Sequence, residues 1–297
     1  MRHSREKIAL VLGFFGMCLF AGTLPATKLA VGGFEPLFLT VARATLAGLA
    51  GLLVLIATRR PMLPRALWLE VFAAAFCTVL CFPLSVAFAM MTVPATHGAV
   101  VLGILPLATA AAAALLAHER PSRGFWLASV TGTLLVLAFV FSRSGSLSVS
   151  AGDLFLLGTV AAGATGYTLS GRLTQLMPGW EVISWQVTIF LPVAALATFA
   201  LWPPQLGSVP ADAWAGLAYV GLVSQYSAFF VFNAAMAMGG IARVAQIMLL
   251  QPFATVFLAL LINGEPIDTK TLSFAAAVVA TVLIGQRMKV RRAVTPT

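Results

Sequence analysis

Residues Thr96–Pro121, THGAVVLGILPLATAAAAALLAHERP, recur 146 positions later as Ala242–Ile267, ARVAQIMLLQPFATVFLALLINGEPI. Pro106, Ala108, Thr109, Ala113, Leu115 and Glu119 align without a gap on Pro252, Ala254, Thr255, Ala259, Leu261 and Glu265. The same shift pairs Trp68 with Trp214 and Met90 with Met236. A repeat of this period means that the chain is two copies of one structural unit, so the fold must be solved for both at once. It divides the 297 residues into halves, 1–147 and 148–297.

Neither half can be solvated by water. Charged residues are 9% of the chain, apolar ones 60%, and mean hydropathy is +0.99, whereas soluble domains carry roughly 25% charged residues. A transmembrane helix needs about 20 mostly apolar residues. That criterion predicts an all-α integral membrane protein with spans near 8–28, 36–57, 68–90, 96–117, 123–141, 153–173, 182–202, 213–236, 243–262 and 271–287. The first run has the outline of a signal peptide, but so many runs follow that it reads as a retained span. Breaks fall at turn signals such as Arg60-Pro61, Met91-Thr-Val-Pro94, Pro203-Pro204 and Gly239-Gly240.

Orientation follows from the Lys/Arg bias of short loops. With the N-terminus in the cytoplasm, inside segments hold fourteen of the 18 Lys and Arg residues, and outside segments hold only Lys28, Arg143 and Lys270. Arg43 stands apart, inside the second span. Both termini are therefore expected in the cytoplasm. Five spans per half is an odd number, so the second half enters the membrane from the opposite side. Glu119 then lies inside and its mate Glu265 outside. Lys28 and Arg172 mirror each other too, each six residues after a glycine, Gly22 or Gly166. Two inverted repeats are the architecture of carriers that alternate between inward- and outward-open states around a midplane site.

Several of these motifs, in this order, are familiar. The first span ends Gly22-Thr-Leu-Pro-Ala-Thr-Lys28, and Glu35-Pro36 leads to Arg43. The fourth span has a central Pro106 and ends His118-Glu119-Arg120-Pro121. Gly152-Asp153 opens the sixth, and the ninth carries Pro252 and ends Gly264-Glu265-Pro266. Over nearly the whole chain this resembles the EamA-type repeat of the drug/metabolite transporter superfamily. It is most similar there to bacterial amino-acid exporters, the aromatic amino-acid (YddG-like) branch. The resemblance implies a ten-helix inner-membrane carrier whose central cavity is lined chiefly by spans 1, 3, 4, 6, 8 and 9.

Polar groups at membrane depth are expensive unless they face the bundle interior, so they are the candidate site. Span 8 offers Ser224, Gln225, Tyr226 and Asn233. Its mate, span 3, offers Thr78, Cys81 and Ser85. Gln246 and Gln251 come from span 9, Trp185 from span 7 and Tyr167 from span 6. Each competes with a plainer reading as a hydrogen bond between helices. Phe14, Phe20, Phe82, Tyr167, Trp185, Phe190 and Tyr226 are candidates for an aromatic wall. Pro25, Pro106 and Pro252 fall within spans, where each removes a backbone hydrogen bond and permits a kink or hinge. Lys28, His97 and Arg243 are helix-end or gate charges, and His97 is also a candidate proton relay. Arg43 reads first as structural, snorkelling outward or pairing with Glu35 or helix carbonyls.

Absent patterns narrow the function. The nine Asp and Glu residues all fall at or near span ends, and proton-coupled pumps commonly relay through a mid-membrane carboxylate. That favours a facilitator of a neutral or zwitterionic solute over proton coupling, and disfavours permanently cationic drugs. No nucleophile elbow, zinc pair or Walker motif appears, which argues against an intramembrane enzyme and excludes ATP-driven transport by this chain alone. Cys18, Cys77 and Cys81 form no metal site, since no further Cys or suitably placed His joins them. Neither cofactor nor metal is expected. The net charge of +9 is spread between spans without a basic face, so nucleic acid is not a partner. The expected partners are a small solute and lipid, around a chain that can act as a monomer.

Overall fold

In the computed structural model, which describes residues 2–93, 98, 101–144, 151–203, 209–263 and 269–291, nearly every described residue is helical. The first repeat supplies α1 (Arg2–Ala21 continued by Thr23–Ala30), α2 (Pro36–Ala57), α3 (Arg65–Thr92), α4 (Leu105–Leu116) and α5 (Arg123–Ser144). The second supplies α6 (Ala151–Leu173), α7 (Gly179–Ala200), α8 (Ala211–Gly239), α9 (Ile241–Asn263) and α10 (Thr269–Arg287). Six of these described helices are long and apolar enough by themselves to cross a membrane. Proline marks several starts, as its fixed φ and missing N–H suit a first turn: Pro36 opens α2, and Pro178 precedes α7.

The repeats interlock rather than sit side by side. α1 packs on α8 and α6 on α3, while α2 lies along α7 and α5 along α10. α4 meets the start of α9. Small residues make this possible, because apolar burial drives no association in lipid and packing must do so instead. A side chain at Gly48 or Gly51 of α2 would strike Leu191 or Val187 of α7. Gly22 and Gly166, the mirrored glycines, admit Tyr219 of α8 and Thr78 of α3 respectively. The chain ends are tied as well: β1 (Arg120–Pro121), after α4, pairs antiparallel with β2 (Val290–Arg291), after α10. We call this side of the molecule the near face and the side bearing Lys28 the far face.

Among the described residues, five spans depart from the regular α-helix, and four of the departures come in repeat-related pairs. α3 widens to a π-helix over Phe76–Cys81 and α8 over Tyr219–Ser227. The 146-residue shift lays the first segment inside the second. In α3 the cause is Pro83, which denies an N–H to the carbonyl one turn back and crowds it. In α8 the Ser227 hydroxyl donates to the Leu222 carbonyl at 2.8 Å, five residues back. The fourth and ninth spans, expected as single helices, are interrupted. Gly103 and Ile104 form a turn before α4, and a 3-10 stretch, Gln246–Leu250, interrupts α9. Pro106 and Pro252 sit at the second position of the helical segment that restarts after each interruption. The predicted kinks are thus helix restarts, set by the prolines' missing donors.

Candidate functional site

The fifth departure builds the site. α1 breaks at Gly22, and Pro25 cannot return an N–H to the Ala21 carbonyl. A helix end leaves its last four carbonyls without partners, and at membrane depth no water satisfies them. Side chains from the other repeat do so. Tyr219 Oη donates to Leu19 O at 2.8 Å, Thr255 Oγ1 to Ala21 O at 3.0 Å and Gln251 Nε2 to Phe20 O at 3.4 Å. Just past the break, Thr23 Oγ1 and Ser224 Oγ lie 2.8 Å apart and share a hydrogen bond. On the opposite wall the Gln225 amide of α8 donates to the Thr78 carbonyl within the α3 π segment, at 3.0 Å. A π segment disturbs the ordinary i→i−4 ladder, which is why such segments recur at functional sites.

These groups surround one cavity where both repeats meet. Its polar lining is Thr23, Arg43, Thr78, Tyr167, Ser224, Gln225 and Gln251, and its apolar lining is Phe20, Leu24, Phe82, Leu102, Leu105 and Phe229. About 20 Å³ is open to the centres of water-sized molecules, enough for a water and far too little for an amino acid. The aromatic part is organised around Tyr167, whose ring centroid lies 6.2 Å from Phe20, 6.3 Å from Phe82 and 5.6 Å from Phe229. Phe20 and Phe229 meet edge to face at 5.0 Å, an arrangement favoured by ring quadrupoles.

The near face is sealed by polar contacts. Glu119, 5% exposed, accepts from the backbone N–H groups of Ile241 and Ala242 at 2.9 Å each. They stand at the start of α9, after Gly240, whose φ of 91° suits a residue without a side chain. The carboxylate thus joins the end of α4 to the positive end of α9. Arg172 pairs with Glu70 at 3.1 Å and donates to the Leu116 carbonyl, Arg60 pairs with Glu181 at 3.3 Å and lies over the Trp180 ring, and Arg243 reaches Glu6 at 3.7 Å and the Met288 carbonyl at 3.0 Å. At the far face, Lys28 Nζ donates to the Met90 carbonyl at 2.7 Å, closing the end of α3.

Of the candidate binding residues, the structure brings Thr78, Tyr167, Ser224, Gln225 and Gln251 to the cavity. The others are not among its lining. Tyr226 turns its hydroxyl to Ser184 Oγ of α7 at 2.8 Å, and Asn233 donates to the Gly179 carbonyl at 3.1 Å, so both hold α8 against α7. Gln246 donates to Ser129 of α5 at 2.9 Å. Trp185 is buried among Leu55, Val71, Leu173 and Val182. Cys81 closes the α3 π segment, and Ser85 faces Gly158 of α6. Among the wall aromatics, Phe20, Phe82 and Tyr167 reach the cavity, Phe14 is 51% exposed on the outside, and Phe190 stacks on Phe72. Lys28 and Arg243 bind helix-end carbonyls at opposite faces, and His97 lies outside the described residues.

Arg43 is the correction of most consequence. It neither snorkels nor pairs with Glu35. It is 3% exposed, lines the cavity, and its Nε has no hydrogen-bond partner among the described residues. The lining therefore includes α2, beyond the spans implied by resemblance. Thr23 and Phe229 were also not singled out from sequence. The signal for Arg43 was its position as a lone fixed charge in a span. Thr23 was legible only as a neighbour of the Gly22–Pro25 break.

Sequence comparison gives this architecture a context. The EamA-like transporter family matches residues 7–141 and again 150–285. A Bacillus subtilis (strain 168) protein described as the uncharacterized transporter YdeK is 38% identical over 276 residues, covering 93% of this chain and 96% of its own length. A protein of known crystal structure superimposes with a TM-score of 0.74 over 94% of this chain and 98% of its own, at 17% identity, which speaks to the fold alone.

Proposed function

This chain belongs to the EamA-like transporter family, a family of carriers rather than enzymes, and on that premise we propose that it exports small amino-acid-like metabolites, aromatic or otherwise neutral, from the cytoplasm. The observation that carries this reading is the cavity itself. Both repeats contribute to it, and among the described residues it combines an aromatic wall, two side-chain amides and one cation, with no carboxylate in its lining. Such a site suits a solute with an apolar body and a few fixed polar groups. None of the described lining residues can serve as an acidic relay for protons, which supports facilitated transport down the solute gradient.

Alternating access supplies the mechanism. In this reading the termini and the near face are cytoplasmic, as the Lys/Arg bias favours, and the protein sits in the inner membrane of a bacterium. Closed at the centre and tied at the near face by Glu119, the described conformation is an occluded stage. Opening toward the cytoplasm parts α4 from the start of α9, with the restarts at Pro106 and Pro252 as hinges. Lys28 and Arg243 act as gate charges by holding or releasing helix ends. A rocking motion of one repeat against the other needs no energy source other than the solute gradient.

Counterflow in proteoliposomes tests the proposal. Vesicles loaded with unlabelled phenylalanine, threonine or buffer receive trace labelled phenylalanine outside, with no proton gradient imposed. Accumulation of label with phenylalanine inside, and none with buffer, is the expected result. Accumulation that requires an imposed pH gradient would replace facilitation by proton coupling. Flat traces for every amino acid from folded protein would overturn the amino-acid reading.

A further inference from the structure

We propose that Arg43 is the anchor for a carboxylate on the transported solute, a role that rests on the carrier reading above and narrows it to acid-bearing solutes. Three observations lead there. The first is cost: a charged side chain at the centre of a helix in a membrane costs roughly 2.5–3.5 kcal/mol even by insertion scales, and a buried guanidinium is kept only where something compensates it. Arg43 is buried two turns inside α2 yet lines the cavity.

The second is the state of its neighbours. Most other polar groups of the wall are already committed to one another or to backbone: Thr23 with Ser224, the Gln225 amide with the Thr78 carbonyl, and the Gln251 amide with the Phe20 carbonyl. The Arg43 Nε finds no acceptor among the described residues. Among the described residues, no carboxylate lines the cavity with it. Tyr167, which also lines the cavity, has a neutral phenol that cannot balance the charge. The cavity thus holds a cation that none of the described lining residues neutralises.

The third is chemistry. A guanidinium presents a planar fork of donors that matches a carboxylate in two parallel hydrogen bonds, so the pairing is directional as well as electrostatic. One cation balances one carboxylate and leaves a phosphate dianion short of positive charge. A solute bearing only an ammonium group would be repelled. In an amino acid, the ammonium group is left to the carbonyl end of broken α1 and to the faces of Phe20 and Tyr167, where a cation is favoured. Release is built into the same arrangement, since an opened cavity admits water that solvates both charges.

Pairs of solutes that differ only in the acid decide the matter with unaltered protein. Phenylalanine, phenylalaninamide, 3-phenylpropionate and phenethylamine, with threonine and threoninamide, are compared as competitors of counterflow and as stabilisers of the purified protein on heating. Each acid is expected to compete about 10- to 100-fold better than its amide or amine, the ratio of one charge-assisted pairing. Phenylpropionate should bind and phenethylamine should not. Arg43→Gln is expected to abolish this discrimination and the acid-dependent rise in melting temperature, and Arg43→Lys to restore part of both. Equal competition by acids and amides, or binding by none of the acids, would overturn the anchor. Transport of amides or amines by wild-type protein would leave it a carrier without this anchor. Failure of every solute in counterflow, with acid-selective stabilisation retained, would instead remove the transport reading and keep the site.

Discussion

α1 and α6 open the two repeats, and they differ at one decisive point. Gly22 and Gly166 occupy equivalent positions, and each lets a helix of the other repeat approach closely, Tyr219 in one case and Thr78 in the other. Three residues further on, α1 has Pro25 and α6 has Leu169. α1 breaks, and its orphaned carbonyls are taken up by Tyr219, Gln251 and Thr255. α6 runs unbroken from Ala151 to Leu173 and presents the Tyr167 ring instead. The π segments show the same division. Thr78 and Ser224 are mates and both line the cavity, but Val79 stands where α8 has Gln225. Small residues keep the two halves alike in packing, and the chemistry lies where they differ. In the carrier we propose, symmetry provides the motion, and asymmetry provides a site for a solute that is itself asymmetric.

The largest expected effect comes from imposing the α1 feature on α6. Leu169→Pro should cost about 3 kcal/mol or more, because it removes a hydrogen bond from the interior of a continuous helix and crowds the Thr165 carbonyl one turn back. Loss of the monodisperse protein peak would register it. A well-folded Leu169→Pro variant would show that the halves are more interchangeable than their packing suggests.

Next in size is the near-face tie. Glu119→Ala removes a buried carboxylate from two backbone donors and should destabilise by about 1.5–3 kcal/mol, seen as a lower melting temperature. Glu119→Gln keeps one acceptor and should lose less. Easier opening of that face would accompany both changes, read as faster alkylation of a cysteine placed at Ala242. Unchanged labelling would remove Glu119 as a gate contact.

The reverse swap should be mild for folding and severe for transport. Pro25→Leu gives α1 the residue of α6, returns an N–H to Ala21, and should leave melting temperature unchanged or slightly higher. Counterflow should fall about tenfold or more if the carbonyl end is part of the site, as misplacement of an anchor by about 1 Å is enough for that. Smallest of all, Gln251→Ala gives up one long hydrogen bond, worth about 0.5–1.5 kcal/mol at most, and should raise the half-saturating solute concentration while stability stays near wild type.

Much of this fold was legible in the sequence because the constraints that set it are one-dimensional. Runs of about 20 apolar residues, proline and glycine at their ends, and a gapless repeat specify ten helices and their pairing into halves. The cavity was less legible, because rotation about a helix axis decides it. Gln225 and Tyr226 are neighbours, yet one lines the cavity and the other bonds to Ser184. The π segment shifts the register within α8, so a 3.6-residue period could not tell them apart. Gln246 and Gln251 differ in the same way across the 3-10 stretch. Arg43 was visible as an anomaly, but its direction was not, since a long cation can reach either interface or centre.

The central claim is that one cavity between the repeats opens in turn to both sides and closes on an acid-bearing solute. Its most direct test is chemical access to Ser224→Cys, in protein whose Cys18, Cys77 and Cys81 are replaced by alanine. A membrane-impermeant thiol reagent is applied to the outer face of sealed vesicles of each orientation. The account predicts labelling from both faces, slowed by phenylalanine and not by phenylalaninamide. Labelling from one face only, or labelling that no acid-bearing solute slows, would contradict it.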